Sequence, residues 1–188
     1  HHIGVLKSLY RFGFEVEYFD KNFMEAYRSP RIKNDLAGRI LSEADIILMI
    51  NLEPVFRNKV ILKFLYNTGI RASELCNIKI KDLKNDKEEG VITIFGKGNK
   101  SRQNRINSRL WVDVQKLAQD KIDEQFLFTK IRGRTEQFSY AQLYQIVKNA
   151  AKRINKEKTV SVHTFRHSHI THALNRNCPA HIAQAQVG

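Results

Sequence analysis

The 188-residue chain has only two cysteines, Cys76 and Cys178, far apart and without a CxxC or comparable grouping. That excludes a disulfide framework and a structural zinc site of the usual spacing, and it makes a reducing compartment the default. No apolar run approaches the ~18 to 20 residues that a membrane span needs. No signal-peptide pattern stands at the start, no HExxH occurs, and there is neither an internal repeat nor a low-complexity tract. The chain opens on His1 rather than Met and closes on Gly188 inside what reads as a motif, so the expectation is a piece of a longer protein.

Acidic residues are the other scarcity, and they are unevenly spread. Residues 1–90 carry 15 Lys and Arg against 13 Asp and Glu, whereas residues 91–188 carry 17 against 6, so the second half holds most of the net charge of +13. A basic surface concentrated in one part of a folded chain is the footprint of a polyanion partner, because each neutralised phosphate releases condensed counterions. The plain alternative is a Lys-rich protein with no such partner.

The hydrophobic pattern divides the chain. "VLKSLYRFGFEVEYF" places Val5, Leu6, Leu9, Tyr10 and Phe12 near helical spacing and reads as the last helix of a preceding domain. "NFMEAYRSPRIKNDLAGR" has linker composition, and a compact domain is expected to begin near residue 38. There Ser42 caps "EADIILMIN" with Ile46, Ile47 and Ile50 as one apolar face, and "RNKVILKFLYNTG" turns Ile61, Phe64 and Leu65 inward before a left-handed stop at Gly69. Residues 90–107 alternate around "GKGN" and read as a β-hairpin. "LWVDVQKLAQDKI" is an amphipathic helix, and "SYAQLYQIVKNAAKRI" opens with a Ser139/Gln142 capping box and buries Leu143, Ile146, Val147, Ala150 and Ile154. A helix over roughly Thr164 to Arg176 follows, then another with Pro179 at its first position that ends on Gly188. The fold class expected is mainly α with a small antiparallel hairpin or sheet.

Three short stretches carry chemistry. "HTFRHSHITHAL", residues 163–174, pairs His163 with His167 and His169 with His172 at helical spacing, but no Cys, Asp or Glu is near in sequence to complete a metal site. The other readings are polar helix decoration, which suits His169, or a phosphate site in which His163 and Arg166, three apart, share one face at a helix N-terminus. "TGIRASEL" places Arg71 at a corner between two helices, with Glu74 able to orient its guanidinium, cap the helix or form a surface ion pair. "GKGNKSRQNRI" is no Walker A loop, since it joins two strands and the spacing fails. It presents Lys97 at a hairpin tip, followed by Lys100, Arg102, Arg105 and Arg109 with no acid between, which suits either a phosphate backbone or a solvated hairpin.

"TGIRASEL", "GKGNK" and "HTFRHSHITH" together, in this order and within a basic helical domain, resemble the tyrosine recombinase (phage integrase) family, Xer-like members above all, over residues 39–188. The resemblance makes residues 1–37 the C-terminal helix of a core-binding domain plus the interdomain linker, and residues 38–188 the catalytic domain, truncated before the family's C-terminal His and Tyr. It implies cleavage of one DNA strand at a time through a 3′-phosphotyrosyl link, with no cofactor and no metal. Arg71 and Arg166 match the pair that grips the scissile phosphate, Lys97 the general acid, His163 the first histidine of HxxR, and Glu74 the supporting acid. Lys100, Arg102 and Arg105 are expected on the nucleic acid. The partner implied is double-stranded DNA bound by a homotetramer of the full-length protein, in the cytoplasm of a bacterial, phage or mobile-element host, with a monomer expected for the fragment and no membrane involved. Tyr140 and Tyr144 precede HxxR and are in the wrong order for the nucleophile. A relative that occupies recombination sites without cutting them is the competing expectation.

Overall fold

The computed structural model describes residues 2–28, 40–96, 101–130, 136–157 and 159–188. The chain divides into two units, residues 1–35 and 36–188. In the first, helix α1 (His2–Glu15) turns back through a short irregular segment that stacks Phe19 on Tyr10, ring centroids 5.1 Å apart. Val5, Leu6, Leu9 and Phe12 of α1 are exposed.

The second unit is helical around a small sheet. Its elements in order are α2 (Glu43–Asn51), α3 (Phe56–Thr68), α4 (Ala72–Cys76), β1 (Leu83–Asp86), β2 (Glu89–Phe95), β3 (Ser101–Ile106), α5 (Ser108–Ala118), α6 (Tyr140–Lys152), α7 (Val162–Asn175) and α8 (Ala180–Val187). Helix α3 is the centre. Val60, Ile61, Leu62, Phe64 and Leu65 are all buried, because α2, α5, α7 and β3 each cover a different side of it. A helix that is apolar most of the way round is stable only in such a position. Phe64 meets Phe128 edge to face, with centroids 5.7 Å apart.

Several local expectations hold in detail. The Ser42 side chain accepts from the Asp45 backbone N–H at the start of α2, and Ser139 and Gln142 form the reciprocal capping box of α6. Others are corrected. On α2 the buried face is Ile46, Met49 and Ile50, while Ile47 is exposed; the step from 46 to 47 turns about 100° around a helix, whereas 46, 49 and 50 lie on one side. Pro179 is the N-cap of α8 and not its first helical residue. The hairpin gains a third strand, since β1 pairs antiparallel with β2 in the order β1-β2-β3. The sequence "LKND" carries one apolar residue in four and gives no alternating signal, so its pairing comes from β2 and not from its own pattern. Among the described residues, no helix is long and apolar enough to cross a membrane.

The end of α3 places the functional region. Gly69 adopts φ +58°, the left-handed conformation that L side chains disfavour, and turns the chain sharply into α4. A Cβ there would stand 2.7 Å from the His169 ring and 2.8 Å from a Val187 methyl, so α7 and α8 approach the backbone as closely as only glycine permits. Gly69→Ala is therefore expected to lower unfolding free energy by about 1 to 3 kcal/mol, from backbone strain alone, read as a reduced urea midpoint. An unchanged midpoint would contradict the left-handed conformation at this turn.

Candidate active site

The turn at Gly69 leaves Arg71 in extended conformation as the N-cap of α4 (φ −72°, ψ 151°). Glu74 is the third residue of that helix, and its carboxylate returns to accept the Arg71 backbone N–H at 3.0 Å and Arg71 Nη1 at 3.0 Å. It is thus both helix cap and guanidinium holder, and no surface ion pair, because it is only 6% exposed. Arg102 Nη1 and Nη2 occupy the other side of the same carboxylate at 3.0 and 2.7 Å. Burial by itself would raise the Glu74 pKa, but these hydrogen bonds from Arg102 and Arg71 outweigh it and hold the carboxyl at about 2.

Arg166 arrives from α7. The Ser161 side chain caps that helix by accepting from the Thr164 N–H, which starts it at Val162, puts His163 in its first turn and sets Arg166 one turn deeper. Arg166 Nη1 donates to the carbonyls of Gly69 at 2.9 Å and Val187 at 2.8 Å, and Nη2 donates to the carbonyl of Gly188 at 2.9 Å. Arg71 Nη2 donates to the same Gly188 oxygen at 2.6 Å. Arg102 Nε donates to the Gln186 carbonyl at 2.8 Å. The last three carbonyls of the α8 end therefore each take an arginine N–H, at the negative end of the helix dipole where such cations are favoured. Burial, and after it the charge of Arg71, lowers the Arg166 pKa below the usual arginine value.

Arg71 and Arg166 thus meet on one oxygen at the chain end, and a cleft of about 710 Å³ opens beside Arg71, lined by Arg71, Ser73, Glu74, Asn77, Phe95 and Arg102 among others, with Arg166 outside its lining. An oxygen held between two planar guanidinium forks is the arrangement suited to one phosphate group. His163 is exposed on the first turn of α7, three residues before Arg166. Lys97 and Lys100 lie outside the described residues.

Two of the basic residues expected on nucleic acid, Arg102 and Arg105, make ion pairs with acids. Arg102 points inward because alternation along β3 turns residues 102, 104 and 106 toward the body of the domain and 101, 103 and 105 away. Arg105 is on the outer face, 70% exposed, and pairs across the sheet with Asp86 at 3.2 Å and Glu89 at 3.4 Å. The sequence run showed no neighbouring acid; the strands bring two. Ser73, Asn77 and Phe95 were not singled out in sequence, and only the fold places them on the cleft. The later histidines have other occupations. His169 is no decoration: its Nδ1 lies 2.8 Å from the Tyr66 carbonyl, and its ring packs on Gly69. His172 is buried with Nδ1 2.9 Å from the Tyr66 hydroxyl.

Residues 37–188 match the model of the phage integrase family. Among curated relatives, the tyrosine recombinase XerA of Pyrococcus horikoshii is 32% identical over 99% of this chain and 63% of its own length. The tyrosine recombinase XerD of Staphylococcus haemolyticus is 26% identical over 99% of this chain and 65% of its own. The chain therefore spans less than two thirds of the length of these relatives. Among solved structures, a XerA recombinase superposes with a TM-score of 0.69 at 23% identity, covering 97% of this chain and 65% of that one. The Tn1549 transposon integrase, solved in complex with circular intermediate DNA, gives 0.74 at 20% identity, covering 100% and 69%.

Glu74 supplies a direct test of the site's electrostatics. Folding lowers its pKa from 4.5 to about 2, so the ionised carboxylate stabilises the fold above about 4.5, and that contribution is lost as pH falls through about 2. Glu74→Gln is expected to cost on the order of 3 kcal/mol at neutral pH, in urea unfolding, and the gap to the parent is expected to close across that window. A gap that does not change with pH would contradict the assignment.

Proposed function

The chain belongs to the phage integrase family, and from that membership we propose that it is the catalytic domain of a tyrosine-type site-specific recombinase acting on double-stranded DNA. The observation that carries the reading is that the fold brings Arg71 and Arg166 together: Arg71 is held by Glu74 at 3.0 Å on the cleft wall, Arg166 by the Gly69 carbonyl at 2.9 Å, and the charge of Arg71 reaches Arg166. In the reaction, a tyrosine hydroxyl attacks the scissile phosphorus, the bond to the 5′-oxygen breaks, and the strand is left joined through a 3′-phosphotyrosyl ester. Negative charge grows on the non-bridging oxygens as this happens. Two permanently charged forks held in advance by Glu74 and backbone carbonyls oppose that charge without reorganising. Lys97 is assigned the protonation of the departing 5′-oxygen, and exposed His163, at the mouth of α7, the exchange of a proton with the attacking or leaving group. A 5′-hydroxyl of the partner strand then attacks the phosphotyrosyl ester, releasing the tyrosine and conserving the bond energy.

The family resemblance puts the nucleophile beyond the position of Gly188. Tyr140 and Tyr144, at the exposed start of α6, are not assigned to that role. The working assembly is a homotetramer of the full-length protein holding two duplexes, in the cytoplasm of its host. The concentration of positive charge in residues 91–188 makes the affinity for DNA strongly dependent on salt.

Two experiments follow. In the full-length protein, Arg71→Ala and Arg166→Ala are each expected to slow strand cleavage by about 10² to 10³ while DNA affinity in a shift assay stays within a few fold. An unrelated nucleic-acid-binding domain would instead show weakened binding and no dependent chemistry. As residues 1–188 the chain is expected to bind a nicked suicide duplex without forming a covalent adduct; a tyrosine-linked adduct would overturn the assignment of the nucleophile.

A further inference from the structure

We propose that Arg102 is a positioning residue of this site, which occupies one side of Glu74 so that Arg71 keeps one fork nitrogen turned toward the phosphate. The proposal rests on the recombinase reading above.

Glu74 accepts four hydrogen bonds. Oε1 takes Arg71 Nη1 and Arg102 Nη1, and Oε2 takes the Arg71 backbone N–H and Arg102 Nη2. A carboxylate offers about four lone-pair directions, so none is left over. Because Arg102 fills two of them, Arg71 meets the carboxylate with Nη1 alone, and its Nη2 reaches the Gly188 oxygen. The two arginines also differ in freedom: the Arg102 side chain is 13% exposed and that of Arg71 43%. The buried one is fixed by its surroundings, and the exposed one is able to move. With Arg102 gone, a nearly buried carboxylate has two unmet acceptor sites and one mobile cation beside it. The preferred geometry for such a pair is the bidentate fork. Arg71 then swings its Nη2 onto Glu74 and away from the substrate.

A second contact on the same side chain sets the distance across the site. Arg102 Nε holds the Gln186 carbonyl at 2.8 Å, so strand β3 is tied to the end of α8 on which Arg166 also rests. Gly188 adopts φ +79°, and a Cβ there would come within 3.1 Å of Arg102 Nη1. The Arg102 side chain therefore packs directly against this backbone.

The test compares cleavage rate on a suicide substrate, DNA affinity and melting temperature for the full-length protein and its Arg102→Ala, Glu74→Gln and doubly substituted forms. Arg102→Ala is expected to lose about 10- to 100-fold in cleavage rate, the size typical when an outer hydrogen-bond partner of a functional ligand is removed, with DNA affinity retained. The discriminating result is the double variant: removing the Glu74 charge is expected to restore part of the loss, because nothing then draws Arg71 aside. If Arg102 only braces α8, the two substitutions add their damage, and the proposal falls. Should Arg102→Ala fail to fold, Arg102→Lys keeps the charge and the stem while losing the fork, and the same rescue by Glu74→Gln is required of it. An unsubstituted protein that yields no adduct on its own site would remove the recombinase reading, and this role with it; one that cleaves normally with Arg102→Ala removes this role alone.

Discussion

The fold brings three guanidinium groups to the C-terminal end of one eight-residue helix, and the Glu74 carboxylate is what makes that arrangement sustainable. Two like charges about 4 Å apart repel by roughly 4 kcal/mol at an effective dielectric near 20, and here three are gathered in a partly buried place. Glu74 answers two of them directly, at 2.7 to 3.0 Å. The carbonyls of Gln186, Val187 and Gly188 answer the rest at the negative end of α8. Among these side chains one carboxylate stands against three guanidiniums, an excess of positive charge of the sign that favours a phosphate.

The helical scaffold exists to hold these groups from four directions. Gly69 ends α3 and permits α7 and α8 to close on the backbone, which brings Arg166 within reach of the Gly69 and Val187 carbonyls. The Ser161 cap fixes where α7 begins, and so fixes the depth of Arg166. Strand β3 delivers Arg102, and the α4 cap delivers Arg71 and Glu74 as a unit. Helix α7 and strand β3 both pack on buried α3, and α4 follows it directly through the Gly69 turn, so the site is built at the edge of the core and not on a loop.

What the sequence made legible was local. Gly69 as a left-handed stop, Ser42 and Ser139 as caps, the apolar stripe of α6 and the pairing around "GKGN" all follow from short-range rules, and the arginines of "TGIRASEL" and "HTFRHSHITH" stood out by motif. What escaped was set by tertiary partners. β1 has no alternating pattern of its own and forms because β2 offers an edge. Arg105 looked free of acids because Asp86 and Glu89 become its neighbours only across the sheet. Arg102 was legible in principle, since strand alternation puts it on the same face as Asn104 and Ile106, but the run of basic residues suggested an outward surface. The same holds for His169 and His172, whose partner Tyr66 lies a hundred residues earlier, on α3.

The central claim is that Arg71 and Arg166 form one phosphate site. A crystal structure of this chain on a duplex carrying its recombination site tests it most directly. The account predicts a single backbone phosphate with both guanidiniums within about 2.7 to 3.2 Å of its non-bridging oxygens, and with Glu74 still bound to Arg71 and Arg102. A duplex whose phosphates approach neither arginine, with both still turned onto the α8 carbonyls, would contradict it.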